Sequence, residues 1–192
     1  MRPCSRTIAR RAGSRPSRRR ATGRGTSTLI TITSLRPATA AERAACQPPR
    51  EVEDTDFATD VESALTVKRA PSGHLLVPVK VNGEAVGWFV FDTGAGQTCI
   101  DLALAERLGL DQQRGVQAVG VGGATAASLC RARTFTIGPM TMENPRLIGL
   151  DLQPLSKSMG EGIAGVCGYD VFRRSVVVVD MRDAKIELYP PG

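Results

Sequence analysis

Apolar positions along this chain come in short, β-leaning bursts and not in long helical stripes. From His74 the text HLLVPVKVNGEAVGWFVFD holds two such runs. They are split by Asn82-Gly83, the dipeptide that best supplies positive φ at both centres of a tight hairpin turn. The pattern predicts strands over about 74–81 and 84–91, with Asp92 at the mouth of the second. Pro78 falls inside the first run, which places it at an edge or a bulge because it has no N–H to donate.

Downstream, TCI reads as a short strand and DLALAERLGL as a helix that Asp101 caps and Gly109 ends. The stretch VQAVGVGGATAASLCRARTFTIGPMTMENPRLIGL interrupts β-leaning runs with glycines and a Gly-Pro pair, which is hairpin material. At one tip, Gly120, Val121, Gly122 and Gly123 are too glycine-rich to hold themselves rigid, so a mobile loop between two strands is expected. The last third runs through GIAGVCG into YDVFRR, a short helix, and then through SVVVVD and AKIELY, a hairpin across Met181–Asp183. Many short strands with one or two short helices predict a compact, mostly β domain of barrel-like or orthogonal-sheet type.

Charge divides the chain in two. Residues 1–50 hold twelve Arg and one Glu, a net +11, whereas residues 51–192 hold thirteen Lys or Arg against eighteen Asp or Glu, a net −5. The basic segment has little apolar periodicity and is not expected to pack as a domain. Three readings of it stand open. A basic start, the apolar stretch TLITITSL and Ala38–Ala40 fit an export signal, of twin-arginine type at SRRR; the Arg/Ser-rich, acid-poor composition fits an organelle transit peptide; and a plain basic arm could touch nucleic acid or a membrane surface. Export to the periplasm or outside the cell is the preferred reading, with a cytoplasmic or organellar location as the alternative. The arm lacks interleaved aromatics and a recognisable reading module, so no nucleic-acid partner is expected. No stretch approaches the roughly 18 apolar residues that span a bilayer, so no integral membrane segment is expected. Residues 51–62, EVEDTDFATDVE, read as an acidic linker or an extended edge segment, and 63–192 as the folded domain.

Candidate chemistry is sparse. Cys4, Cys46, Cys99, Cys130 and Cys167 lack the paired spacing of a zinc site, and the three in the domain read as small buried hydrophobes. His74 is the single histidine, and no G-x-S-x-G motif accompanies it, which argues against a Ser-His-Asp or Cys-His centre.

One stretch stands apart: WFVFDTGAGQTCID, residues 88–101, where an apolar strand runs straight into a carboxylate. A carboxylate at the end of a buried strand is costly unless something hydrogen-bonds, pairs or protonates it. An Asx turn closing the strand would suffice for the tripeptide alone. Its surroundings say more. FVFDTGAGQTCID, the glycine-rich GVGGA and the closing GIAGVCGYDVFRRSVVVVDMRDAKIELY follow one another in an order that resembles the retropepsin-like aspartic proteases, specifically the single-domain family with one Asp-Thr-Gly site per chain. The likeness covers roughly residues 63–190, with boundaries good to about two to four residues. Many relatives read Ile/Leu-Leu-Gly-x-Asp in the closing segment. This chain reads Val166-Cys167-Gly168-Tyr169-Asp170, with a smaller side chain at Cys167 that alters local packing.

The resemblance implies a closed, barrel-like, mostly β retropepsin-type fold and an aspartic endopeptidase acting on peptides or proteins without metal or other cofactor. In that chemistry one carboxylate deprotonates a water and a second, protonated carboxyl donates to the carbonyl oxygen. No second Asp-Thr-Gly copy exists in the chain. The family's solution is a symmetric homodimer that sets Asp92 beside its twin, the two titrating as a pair. By resemblance, Thr93 hydrogen-bonds across the interface, Gly94 lets the backbone approach the carboxylates, Ala95 keeps the floor small, and Gly120, Val121, Gly122 and Gly123 form a flap over an extended substrate. Asp170 reads as a cap or surface ligand of the closing helix. Activity in the acid to mildly acid range is expected. The alternative is a catalytically silent peptide-binding or scaffolding domain of the same fold.

Overall fold

The computed structural model describes residues 39–41, 53–120 and 123–191. The targeting readings of the basic segment, and Val121 and Gly122 at the glycine-rich tip, lie outside the described residues. The first strands are β1 (Thr55–Phe57), β2 (Lys68–Arg69), β3 (Leu75–Val81), β4 (Glu84–Phe91) and β5 (Cys99–Asp101), followed by helix α1 (Leu102–Arg107). Next come β6 (Asp111–Gly120), β7 (Gly123–Arg131), β8 (Thr134–Ile137), β9 (Met140–Glu143) and β10 (Arg146–Leu150). Helix α2 (Gln153–Met159), β11 (Ile163–Cys167), helix α3 (Tyr169–Phe172), β12 (Val176–Asp180) and β13 (Lys185–Tyr189) close the chain.

The β3–β4 hairpin forms where the alternation predicts it. Asn82 and Gly83 take φ of 53° and 83°, the left-handed pair that a two-residue turn needs. Its strands are buried on both faces, which explains runs such as LLV and WFVF. Leu75, Val77, Val79 and Phe89 enter the main core, while Leu76 and Val90 pack with Ala70, Leu152, Met159 and Ile163 in a second one. Pro78 is tolerated because its outer side lies in a gap between partners: β2 covers Leu75 and Leu76, β8 covers Lys80 and Val81, and a bulge follows Val79.

The main sheet runs in the order β1-β9-β8-β3-β4-β11-β5-β10-β7-β6, with β2 beside β3, and β12–β13 forms a separate two-stranded sheet. Among the described residues no ladder joins the outer strands β1 and β6, so the mostly β class stands but the sheet is open, not a closed barrel. Alternation along a strand reports which face is buried and is silent on what the last edge meets. Three short helices occur among the described residues where one or two were expected; the additional one is α2. Its signals are local: the Asp151 carboxylate accepts from the Gln153 N–H at 3.0 Å, Pro154 sits in the first turn, and Gly160 ends the helix at φ 67°. No helix of the described residues is long and apolar enough to cross a membrane.

Within the stretch expected to be linker or edge, Thr55–Phe57 pairs antiparallel with β9 as an outer strand. Just before it, Asp54 receives the guanidinium of buried Arg174, with Arg174 Nε 2.9 Å from Asp54 Oδ1. The Arg174 hydrogen bond is the main reason that the Asp54 carboxyl lies below its ordinary 3.8. A carboxyl depressed on folding adds stability above its unfolded value, and that stability is lost as pH falls through the folded one. In urea titrations the chain should therefore be more stable than Asp54→Asn at pH 7, with the difference shrinking below about pH 4.

Candidate active site

Two strands that end together position the site. β4 and β11 are parallel neighbours with Phe91 opposite Cys167, so Asp92 and Gly168 leave the sheet at the same end. β5 enters antiparallel to β11, with Gly165 opposite Ile100. The loop from Asp92 to Thr98 thus connects two strands that flank β11 and must wrap past its end.

Backbone bonds fix that loop. The Asp92 N–H donates to Cys167 O at 3.1 Å, and the Ala95 N–H donates to Asp92 O at 3.3 Å. The Asp92 carboxylate is half-buried, and its Oδ1 accepts the Gly94 N–H at 2.8 Å. This Asx-type contact answers the strand-end carboxylate locally and holds it in one orientation. Thr93 and Gly94 are exposed, and Ala95 is half-buried. A Cβ on Gly94 would stand 3.2 Å from Asp92 Oδ1, so glycine is what leaves the carboxylate unobstructed.

A second layer supports the loop from residues that motif reading passed over. Thr98 is fully buried; its Oγ1 accepts the Gly168 N–H at 3.2 Å and its carbonyl accepts the Ile148 N–H at 3.0 Å. The Tyr169 N–H donates to Ala95 O at 2.8 Å. Asp170 does not cap its own helix: α3 has no side-chain cap, and Asp170 Oδ2 instead accepts the Thr98 N–H at 2.8 Å. That replaces the expectation of a cap or surface ligand with a tie between α3 and the Asp92 loop. A side chain on Gly168 would strike the carbonyl of Gln97 and approach that of Ala95, so the closing segment can approach the loop only with glycine there.

Cys99, half-buried beside this layer, has its thiol pushed up to about 11, chiefly by burial and then by the Asp170 and Asp92 carboxylates. It is a neutral thiol at ordinary pH and no nucleophile. Cys167 and Cys130 are buried, with burial raising both thiols, and all three cysteines are free, as small hydrophobes should be. His74 is exposed, with its Nδ1 2.9 Å from Ser72 Oγ.

The glycine-rich tip crowns the β6–β7 hairpin, whose arms are ten and nine residues long and pair as far as Gly120 opposite Gly123. A bulge between Arg114 and Val116, with Gly115 at φ 85°, re-aims its outer half.

Residues 77–171 match the family model described as aspartyl protease. No curated protein gives a match. Among solved structures, a retropepsin-like aspartic protease from Rickettsia conorii is 21% identical over 70% of this chain and 92% of its own, with a TM-score of 0.50. EIAV protease in complex with the inhibitor HBY-793 is 19% identical over 51% of this chain and 84% of its own, with a TM-score of 0.40. Over the Asp92 loop, the β6–β7 hairpin and the closing segment as far as Val171 the chain is similar to the aspartyl protease family, and its fold resembles that of a retropepsin-like aspartic protease.

Proposed function

We propose that the chain is an aspartic endopeptidase whose catalytic dyad is Asp92 and the Asp92 of a second copy. The observation that carries the reading is the Asp92 loop itself. A half-exposed carboxylate is oriented by the Gly94 N–H at the end of a parallel strand pair, inside a region that matches the aspartyl protease family. One such carboxylate can take a proton from water, but a second must supply one to the scissile carbonyl. Thr93 fits a role across the interface, being exposed with no hydrogen-bond partner for its hydroxyl among the described residues. Gly120 to Gly123 would close over an extended peptide whose backbone joins the hairpin as an added strand.

The test is cleavage of a mixed peptide library by the full chain over a range of protein concentrations. Cleavage that rises faster than linearly at low concentration is expected of a dimeric enzyme. A dimer that binds peptides and cleaves none at any pH would leave the scaffolding alternative in its place.

A companion prediction concerns Gly94→Ala. The new methyl, 3.2 Å from Asp92 Oδ1, must push the carboxylate by a few tenths of an ångström. Misplacement on that scale should lower kcat by about tenfold or more while leaving the thermal midpoint within a few degrees. Steady-state kinetics beside a melting curve separates the two effects.

A further inference from the structure

Beside the Asp92 loop, between the β9–β10 turn and the end of α3, lies a cavity of about 310 Å3. Buried Met142 and Leu147 supply its apolar part. The charged groups that line it are three arginines, Arg146, Arg173 and Arg174, against two aspartates, Asp54 and Asp170. They are not equally engaged. Arg174 Nε lies 2.9 Å from Asp54 Oδ1, its Nη2 meets Asp54 Oδ2, and its Nη1 donates to Asp170 O at 3.1 Å. Asp54 therefore has both oxygens on one guanidinium, and Asp170 Oδ2 is held by the Thr98 N–H at 2.8 Å. Arg146 and Arg173 are left over. Among the described residues neither guanidinium makes a hydrogen bond or an ion pair.

Both positions cost something as they stand. Arg173 is half-buried at the end of α3, so its charge gives up water with no fixed partner in return. Arg146 stands opposite Arg131 across the β10–β7 ladder, and like charges directly opposite are unfavourable unless something neutralises them. Asp111 faces Arg131 from β6 and forms an ion pair with neither arginine. Acids are not scarce in the folded part: residues 51–192 hold eighteen Asp or Glu against thirteen Lys or Arg. Two unpartnered guanidiniums in one cavity are thus no by-product of a basic surface. The exposed side-chain amides of Gln97 and Asn144 line the same cavity and add free N–H donors.

We propose that this cavity binds an oxyanion, a carboxylate or phosphate group, held between the Arg146 and Arg173 guanidiniums. Guanidinium N–H groups donate in a planar fork that matches such oxygens, and they offer no acceptor to a cation. The volume is at the small end for ligand sites and suits a single anionic group or one side chain. The walls are already fixed, Arg174 by Asp54 and Asp170 by Thr98, so little ordering opposes binding. Gln97 belongs to the Asp92 loop, and the Asp170 bond to Thr98 ties the cavity to that loop a second time. The anion is therefore the acidic side chain of a peptide lying along the loop, or a free anion that braces it; the chemistry is the same. Neither a second copy nor cleavage is needed for the site to exist.

Thermal melts of the full chain, of Arg146→Gln, and of Arg146→Gln combined with Arg173→Gln, in sodium phosphate against sodium chloride of equal ionic strength, test this. An anion that binds only the folded cavity should raise the midpoint by about 3–6 °C at ten times its Kd. Phosphate also stabilises proteins through exclusion from their surface, and the double variant measures that background. The expected result is the largest shift for the unchanged chain and a Kd about tenfold weaker, or more, for each guanidinium removed. Equal phosphate shifts in all three chains overturn the proposal. Should circular dichroism show the double variant misfolded, Arg146→Gln, at an exposed position, decides alone: a shift equal to that of the unchanged chain overturns the site. Full-length Asp92→Asn, which should bind peptides without cutting them, then separates the two sources. A peptide side chain predicts that a Glu peptide binds about tenfold more tightly than its Gln counterpart and that phosphate erases the difference. A free anion predicts equal binding of the two peptides and a cleavage rate of the unchanged chain that changes with phosphate. Either result upholds the site. A phosphate shift that needs Arg146, in a chain that cleaves no peptide, would sink the dyad and leave the anion site standing.

Discussion

Asp92→Asn should abolish peptide cleavage, lowering kcat by about a thousandfold or more, with no loss of fold. General acid–base catalysis contributes about a hundred- to ten-thousandfold for a single positioned group, and in a homodimer one substitution removes both groups. The amide is a strict control for position. Its side-chain oxygen can still accept the Gly94 N–H that Asp92 Oδ1 accepts at 2.8 Å, so the loop keeps its turn and loses only the proton chemistry. Mixing makes the test sharper. If variant and unchanged chains exchange freely in equal amounts, only about a quarter of the dimers retain two carboxylates, and activity per unchanged chain falls by about half. A dyad shared between copies predicts that fall, whereas an enzyme complete in one chain predicts none. Peptide cleavage by Asp92→Asn at the unchanged rate would remove Asp92 from the chemistry altogether.

How much of this was legible before the structure depends on whether the deciding contact is local. Asn82-Gly83 adopts the positive φ values that its composition demands, and Asp101 Oδ1 accepts the Leu104 N–H at 3.1 Å as a helix cap should. Both are settled within a few residues. Helix α2 was equally local, with Asp151, Pro154 and Gly160 in place, but it carries no long apolar period to draw attention. The support under the Asp92 loop is another matter. Thr98 meets Gly168 across 70 positions, and Asp170 meets Thr98 across 72. No spacing rule connects such residues; the parallel pairing of β4 with β11 does. The closing hairpin forms as its sequence predicts, but its valines do not report their own burial. Of four in a row three are exposed, because burial depends on which edge of the hairpin finds a neighbour and not on the apolar run alone.

Gly165→Ala should lower stability by about 3 kcal/mol, at the upper end of the range for inserting a methyl into a full core. Gly165 lies in β11 between β4 and β5, and a Cβ there would overlap the ring of Phe89 and the carbonyl oxygen of Cys99. Neither neighbour can yield. Phe89 is fully buried and packed edge-on against Phe135, with ring centroids 5.6 Å apart. Cys99 is held in a three-residue strand between β11 and β10. The sheet must therefore part at the place where β11 delivers Cys167 to the Asp92 N–H, so activity should fall along with stability. For a domain of this size the thermal midpoint should drop by about 6–12 °C. Gly162→Ala is the matched control: it lies just before β11, is exposed, and has nothing within 4 Å of the place its new methyl would occupy. That change should leave the midpoint unaltered or raise it slightly, by restricting the unfolded chain. Equal midpoints for the two variants would mean that the strand crossing under the site has slack, and that glycine at 165 is not what lets β5 pass so close to Phe89.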